Sequence, residues 1–125
     1  PAGLMVPVIR DVDKKNLSQL AVDLVDVSTR TRDRKIIPAE LVGATFSISS
    51  LGGISGTGFS PIVNPPQVAI LGVSKSKIKP EYDGSEFLPR LMLPFSLSYD
   101  HRVIDGAAAA RFTKFIAEEL KAIKK

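Results

Sequence analysis

Residues 91–106 read LMLPFSLSYDHRVIDG, and this stretch predicts a long strand that turns into a helix. Every second residue of its first part is apolar, as expected for a strand with one face toward a core. After Asp105-Gly106 the apolar spacing becomes helical, and Asp105 is placed to accept bonds from the free amides of the first helical turn. The alternating residues are Leu91, Leu93, Phe95, Leu97 and Tyr99, and the helical ones are Phe112, Phe115, Ile116, Leu120 and Ile123.

Upstream segments predict one more long helix and several strands. Asn16 and Gln19 have the spacing of a capping box, so a helix should run from about Leu17 to Arg32. Asp83-Gly84 predicts a tight hairpin turn, and the apolar run Val68–Val73 is typical of a strand covered on both faces. Strands are predicted at Gly3–Ile9, Ala44–Ser50, Val68–Val73, Ile78–Tyr82 and Phe87–Pro89, with a short helical turn at Pro38–Leu41.

The composition favours a globular domain and argues against several functions. The 125 residues are 44% hydrophobic and 24% charged, and no apolar run approaches the length of a membrane span. Because there is no cysteine, disulfides, cysteine nucleophiles and thiolate metal sites are excluded. The net charge of +4 is spread over scattered basic residues, with only two tyrosines and no tryptophan to stack bases, so we expect no nucleic-acid partner and no membrane partner. The glycine-rich loop Leu51–Pro66 lacks the spacing of a dinucleotide, phosphate-binding or hydrolase motif.

Two residue types remain as candidates for chemistry. His101 is the only histidine, and it lies where a strand meets a loop, with a side chain suited to accept a proton near neutral pH. A lone histidine is more often structural, so the position alone leaves its role open. Thr45, Ser47 and Ser49 line one face of a predicted strand with hydroxyl groups, which could bind a ligand or simply pair with backbone.

The residues around His101 carry a resemblance to a known family. The segment Asp100–Gly106 resembles the Asp-His-Arg-x-x-Asp-Gly signature of the acyltransferase domains of 2-oxo acid dehydrogenase complexes, and the strand before it resembles the family strand that carries this signature. Three further blocks are similar to family blocks in the same order, so the resemblance covers essentially the whole chain. These blocks are Gly3–Asp11 with the helix after it, Phe46–Gly52 and Pro61–Val73.

The resemblance implies a fold and a set of site residues. The fold would be α/β, a two-layer sandwich like chloramphenicol acetyltransferase with a mixed sheet and flanking helices, of which residues 1–125 cover about the C-terminal half. His101 would be the general base and Ser49 the donor to the oxyanion, with Ser50 as the fallback, in a site between subunits of a homotrimer. Asp105 would act on His101 directly or, as we prefer, cap the helix and pair with an arginine, for which Arg102 is the local candidate. Asp100 and Gly106 would support this loop, Gly106 by allowing tight packing.

The same resemblance implies a reaction and its participants. The family moves an acyl group between a dihydrolipoyl arm, carried on a separate domain, and coenzyme A as substrate, with no metal. The blocks at 48–52 and 107–112 are more similar to the acetyltransferases of pyruvate complexes than to succinyl or branched-chain members, which stay as alternatives. The partners would be pyruvate dehydrogenase and dihydrolipoamide dehydrogenase, held through lipoyl and peripheral subunit-binding domains that residues 1–125 do not contain. The location would be the bacterial cytoplasm or the mitochondrial matrix.

Two other functions fit parts of the pattern. A non-catalytic core subunit would organise partner enzymes, although such subunits can lack the signature histidine that is present here. An antibiotic acetyltransferase of the same fold usually has histidine in the place of Asp100. The family half that precedes these blocks is missing, so residues 1–125 alone are not expected to be fully active. The dilysine end predicts poor burial against a neighbouring trimer in a large shell.

Overall fold

A computed structural model describes residues 3–123 of the chain. The chain contains two compact units, which are divided between Thr45 and Phe46. Helix α1 spans Leu17–Arg32 and helix α2 spans Gly106–Ala122. The strands are β1 at Ser47–Ser50, β2 at Ala69–Val73, β3 at Lys77–Tyr82, β4 at Phe87–Met92 and β5 at Phe95–Tyr99. No helix within residues 3–123 is both long enough and apolar enough to cross a membrane.

The first unit is built around α1, which has the predicted bounds. The Asn16 side chain accepts from the Gln19 amide and the Gln19 side chain accepts from the Asn16 amide, both at 2.9 Å, so the predicted capping box is confirmed. Near the end of the helix, Arg30 binds the carboxylates of Asp26 and Glu40. Glu40 lies in the predicted helical turn Pro38–Leu41, which is a 3-10 turn.

The strand predicted at Gly3–Ile9 is wrong. Residues 3–9 form no strand, and their backbone contact in this unit is a bond of 2.8 Å from the Val8 amide to the Glu40 carbonyl. Pro7 has no amide hydrogen to donate to a ladder, and the described part of this unit holds no strand beside which the segment could pair.

The second unit holds a mixed three-stranded sheet in the order β1-β2-β5. Strand β1 is parallel to β2, and β5 is antiparallel to it, with Ser49 and Ser96 both opposite Gly72. Ala69, Ile70 and Leu71 of the central strand are buried, as the apolar run predicts. Helix α2 packs on the face that carries Phe46, whose ring meets that of Phe112 edge-on at 5.9 Å between centroids. The predicted α/β class with a mixed sheet and a flanking helix is therefore confirmed.

Within residues 3–123, the other two strands, β3 and β4, pair only with each other, as an antiparallel hairpin. Its turn differs by one residue from the prediction: the tip is Gly84-Ser85, and Asp83 precedes it, binding the amides of Ser85 and Glu86 at 2.8 and 2.9 Å. Gly84 has φ of 108°, a conformation that favours glycine.

Two predicted strands are shorter than expected. The strand predicted at Ala44–Ser50 begins only at Ser47, where pairing with β2 begins. The long strand predicted from Leu91 to Tyr99 is interrupted at Leu93-Pro94, because Pro94 has no amide for a ladder bond and its carbonyl instead accepts from the Ser74 amide at 3.0 Å.

Candidate active site

His101 follows directly after β5 on a turn whose backbone is held at both ends. The Asp100 amide donates to the Val68 carbonyl at 2.8 Å, which extends the β2–β5 ladder by one bond. The Val103 and Ile104 amides both donate to the Asp100 carbonyl at 3.0 Å and close the turn before α2. The imidazole itself is exposed. The fold thus fixes the backbone around His101 and leaves the imidazole ring accessible to a ligand.

The neighbours of His101 in sequence bind each other. The Arg102 guanidinium donates to both carboxylate oxygens of Asp100, at 2.7 Å from Nη2 and 3.0 Å from Nε, and the Arg102 amide donates to the same carboxylate at 3.0 Å. Hydrogen bonds from the Arg102 side chain and amide lower the pKa of Asp100 to about 2. Asp100 is therefore an anion throughout the neutral pH range, and the pair stiffens the turn around His101.

Tyr99 supports the imidazole from the strand side. The two rings lie 5.6 Å apart between centroids with 36° between their planes. The Tyr99 hydroxyl would lie 3.8 Å from a Cβ on Gly106, which is ordinary van der Waals contact. The tight packing predicted for Gly106 is therefore not found in this unit.

Asp105 caps α2, as predicted. Its side chain accepts from the Ala108 amide at 2.7 Å, which satisfies one of the free donors of the first turn. Arg102, the local candidate for the arginine partner of Asp105, binds Asp100 instead. Within residues 3–123, no hydrogen bond joins Asp105 to His101 either.

Ser49 lies in the middle of β1, half-buried, on a sheet face rich in hydroxyl groups. Ser47 and Ser49 share this face with Ser96 and Ser98 of β5, since residues opposite each other across a ladder point to the same side. The Ser47 hydroxyl donates to the Gln67 side chain at 2.6 Å, whereas the described residues offer the Ser49 hydroxyl no hydrogen bond. Ser50 points to the opposite face and accepts from the Gly52 amide at 3.4 Å.

The sheet keeps Ser49 and His101 of one chain apart. Strand β2 lies between β1 and β5, Ser49 is level with Ser96, and His101 follows Ser96 by five residues. With strands about 4.8 Å apart and a rise of about 3.4 Å per residue, Ser49 is separated from Tyr99, the last residue of β5, by about 10 Å across the sheet and about 10 Å along it, and His101 lies two residues beyond Tyr99. The two predicted site residues therefore do not meet within one chain.

Two residues near the site were not singled out from the sequence. Tyr99 could have been found from the sequence, since it is an aromatic residue only two positions before His101. Gly72 could not have been found from the sequence, because its role depends on a contact with a loop that is distant in sequence. In the part of the chain that is described, acidic and histidine side chains form no group that could hold a metal ion.

The whole chain matches a known protein family. The family described as 2-oxoacid dehydrogenases acyltransferase (catalytic domain) matches residues 1–125. The chain belongs to this family, and the resemblance found in the sequence is confirmed.

Among its relatives is the dihydrolipoyllysine-residue acetyltransferase component of the pyruvate dehydrogenase complex of Pseudomonas aeruginosa, 61% identical over 99% of this chain and 23% of the relative. The solved structure of dihydrolipoamide acetyltransferase from Azotobacter vinelandii is 59% identical with a TM-score of 0.95, over 98% of this chain and 50% of that one. A solved cubic core of a pyruvate dehydrogenase multienzyme complex is 61% identical with a TM-score of 0.89, over 91% of this chain and 47% of that one. The chain thus spans half or less of each of these three proteins.

Proposed function

We propose that this chain supplies both reactive groups of an acetyl transfer between a dihydrolipoyl arm and coenzyme A, as the C-terminal part of an acyltransferase catalytic domain. His101 is the general base, and Ser49 donates a hydrogen bond to the oxyanion. The observation that carries the proposal is the exposed imidazole of His101 on a turn braced by Asp100, Arg102 and Tyr99.

The reaction needs a base because a free alkyl thiol has a pKa of about 8.5, by analogy with cysteine, and is mostly protonated near neutral pH. His101 takes the proton of the coenzyme A thiol as the sulfur attacks the acetyl carbonyl of the dihydrolipoyl thioester. The carbon–sulfur bond to the arm then breaks, and His101 returns the proton to the departing sulfur. The tetrahedral intermediate carries an oxyanion, and one hydroxyl donor such as Ser49 can lower the barrier by about 2.7–4 kcal/mol.

The work on the Azotobacter protein supports these assignments. It concerned one serine, one histidine and one asparagine in the catalytic mechanism of that enzyme. Those three residues are separated along their chain by the same numbers of residues as Ser49, His101 and Asp105 are in this chain.

The asparagine of the Azotobacter protein also bears on the role of Asp105. The asparagine of the Azotobacter protein follows its histidine at the same separation at which Asp105 follows His101, and asparagine and aspartate cap helices about equally well. In this chain the Asp105 side chain accepts from the Ala108 amide at 2.7 Å, as a helix cap does. We therefore assign Asp105 to holding the start of α2 rather than to proton transfer.

A complete site needs a second copy of the chain. Because Ser49 and His101 of one chain lie far apart, we propose that the two reactive groups of each site come from different copies in a homotrimer. The cubic core formed by a relative that covers 91% of this chain supports an assembly of many copies.

The finer participants follow from the same proposal. The substrates are coenzyme A and a lipoyl group on a separate domain, and the partner enzymes are pyruvate dehydrogenase and dihydrolipoamide dehydrogenase. The bacterial origin of the relatives supports the cytoplasm as the location. Acetyl transfer, rather than succinyl or branched-chain transfer, is supported by the names of the most similar relatives.

The test is His101→Ala in the intact protein, with acetyl transfer from acetyl-coenzyme A to dihydrolipoamide as the assay. We expect a loss of roughly 100-fold or more, since a positioned general base contributes about 10²–10⁴-fold. Lys114→Ala, an exposed site on α2, is the control and should keep the wild-type rate. Unchanged transfer in His101→Ala would contradict the mechanism. If His101→Ala no longer assembles but still transfers acetyl groups, the result would favour a non-catalytic core subunit instead.

A further inference from the structure

The surroundings of Ser49 contain a close crossing of loop over sheet. Ser49 of β1 and Ser96 of β5 lie opposite Gly72 of β2, all three on one face of the sheet. The segment Phe59–Pro61 lies directly on this face. A Cβ on Gly72 would be 2.9 Å from Pro61 Cδ and 3.0 Å from both Phe59 Cζ and Ser96 Oγ, so only glycine leaves room for the segment.

Ser96 fixes this segment by a hydrogen bond. Its hydroxyl donates to the Phe59 carbonyl, a contact between residues far apart in sequence. The Phe59 backbone is thus attached above β5, while the far end of its ring lies above Gly72 in the neighbouring strand. The end of the ring therefore lies on the sheet face that carries Ser49, one strand away from it.

The ring comes close to the reacting group. Because β1 and β2 are neighbours about 4.8 Å apart, the end of the Phe59 ring lies no more than about 8 Å from the Ser49 Cβ. A carbonyl oxygen that accepts a hydrogen bond from the Ser49 hydroxyl lies about 3 Å from it, and its alkyl chain extends from there by the length of a few bonds. A fixed aromatic ring at this distance limits the size of the alkyl chain.

We propose that Ser96 and Gly72 are positioning residues that hold the Phe59 ring as a wall of the acyl pocket, and that this wall selects acetyl over longer acyl groups. The proposal rests on the function proposed for Ser49. Ser96 acts through Phe59 and does not touch the substrate. Without its hydrogen bond the segment moves away from the sheet, and the pocket admits longer chains.

The test compares acyl donors of increasing length in the intact protein. The measured quantity is the ratio of kcat/KM for acetyl-coenzyme A to kcat/KM for butyryl-coenzyme A, with dihydrolipoamide as acceptor. Size exclusion in an apolar pocket changes such ratios by about 10- to 200-fold per methylene group. We expect Ser96→Ala to lower the ratio by about 10-fold, through a gain on the longer donor.

Ser98→Ala is the matched control, since Ser98 shares the strand and the face but does not bind the Phe59 carbonyl. It should keep the wild-type ratio. Phe59→Ala should lower the ratio at least as much as Ser96→Ala, and adding Ser96→Ala to Phe59→Ala should cause no further change, because Ser96 acts through the ring.

An unchanged ratio in Ser96→Ala, or an equal fall in Ser98→Ala, would overturn the proposal. This failure differs from a failure of the proposed function. If Ser49→Ala transfers acetyl groups at the wild-type rate, the role of Ser49 is wrong. If Ser49→Ala is inactive but Ser96→Ala keeps the wild-type ratio, only the wall proposed here is wrong.

Discussion

Arg102 binds both carboxylate oxygens of Asp100, and the two residues flank His101 in sequence. The pair closes a short ring of backbone around the residue that we assign as the base. Together with the Tyr99 ring it restricts where the imidazole can lie, although His101 itself is exposed.

Removing this pair should slow the reaction without changing its pH dependence. We expect Asp100→Asn to lower kcat by roughly 10- to 100-fold, the range for a misplaced catalytic group. Because the pKa of Asp100 is lowered to about 2, its contribution is complete above the ordinary value of 3.8 and is lost only as the pH falls through about 2. The kcat of Asp100→Asn should therefore be lower than that of the wild type by the same factor at every pH from 5 to 9.

The control for this prediction is Glu118→Gln, which removes the carboxylate of the exposed Lys114–Glu118 pair on α2. It should not change kcat. A defect of Asp100→Asn that disappears toward one end of the pH range would show that Asp100 acts by titrating and not by holding the turn.

Asp105 can be tested by two substitutions with opposite expectations. Asp105→Asn keeps a capping side chain and should leave both stability and acetyl transfer near wild type. Asp105→Ala removes the bond to the Ala108 amide and should lower the free energy of unfolding in urea by about 1 kcal/mol. A loss of more than about 100-fold in kcat for Asp105→Asn would mean that the carboxylate acts on His101 directly.

Gly72 should tolerate no side chain. Gly72→Ala places a Cβ 2.9 Å from Pro61 Cδ, and we expect the overpacking to cost about 1–3 kcal/mol in the free energy of unfolding. Gly58→Ala is the control, because nothing lies within 4 Å of its Cβ position and its φ is not positive. Equal stability of the two variants would show that the loop does not press on the sheet.

The ion pair of the first unit predicts a pH dependence of stability. Hydrogen bonds from the Arg30 side chain and the Ile37 amide lower the pKa of Glu40 below its ordinary 4.5. A lowered pKa means that the stabilisation is complete above 4.5 and is lost as the pH falls through the lower value in the folded protein. The urea midpoint of the wild type should therefore drop more steeply between pH 5 and 3 than that of Glu40→Gln. Parallel curves would contradict this assignment.

Local signals predicted the helices well. Asn16 with Gln19 fixed the start of α1, and Asp105 marked the start of α2, because a cap depends on residues within one turn of the chain. The apolar run of β2 was also sufficient, since burial on both faces leaves few polar positions.

Features that depend on distant partners were harder to predict. Gly3–Ile9 has the residues of a strand but no neighbour to pair with in its unit, and Pro94 divides the long strand expected from Leu91 to Tyr99. The pairing of Arg102 with Asp100 instead of Asp105 is set by the turn between them. The contact of Phe59 with Gly72 joins a loop to a strand, and nothing in the spacing of either segment indicates it.

The central claim is that each site takes its imidazole and its hydroxyl from different copies of the chain. It is tested most directly by mixing two inactive variants, His101→Ala and Ser49→Ala, in equal amounts so that they assemble together. If the two groups come from different copies, about a quarter of the sites regain both and transfer acetyl groups at that fraction of the wild-type rate. Mixed assemblies that stay as inactive as either variant alone would contradict the claim.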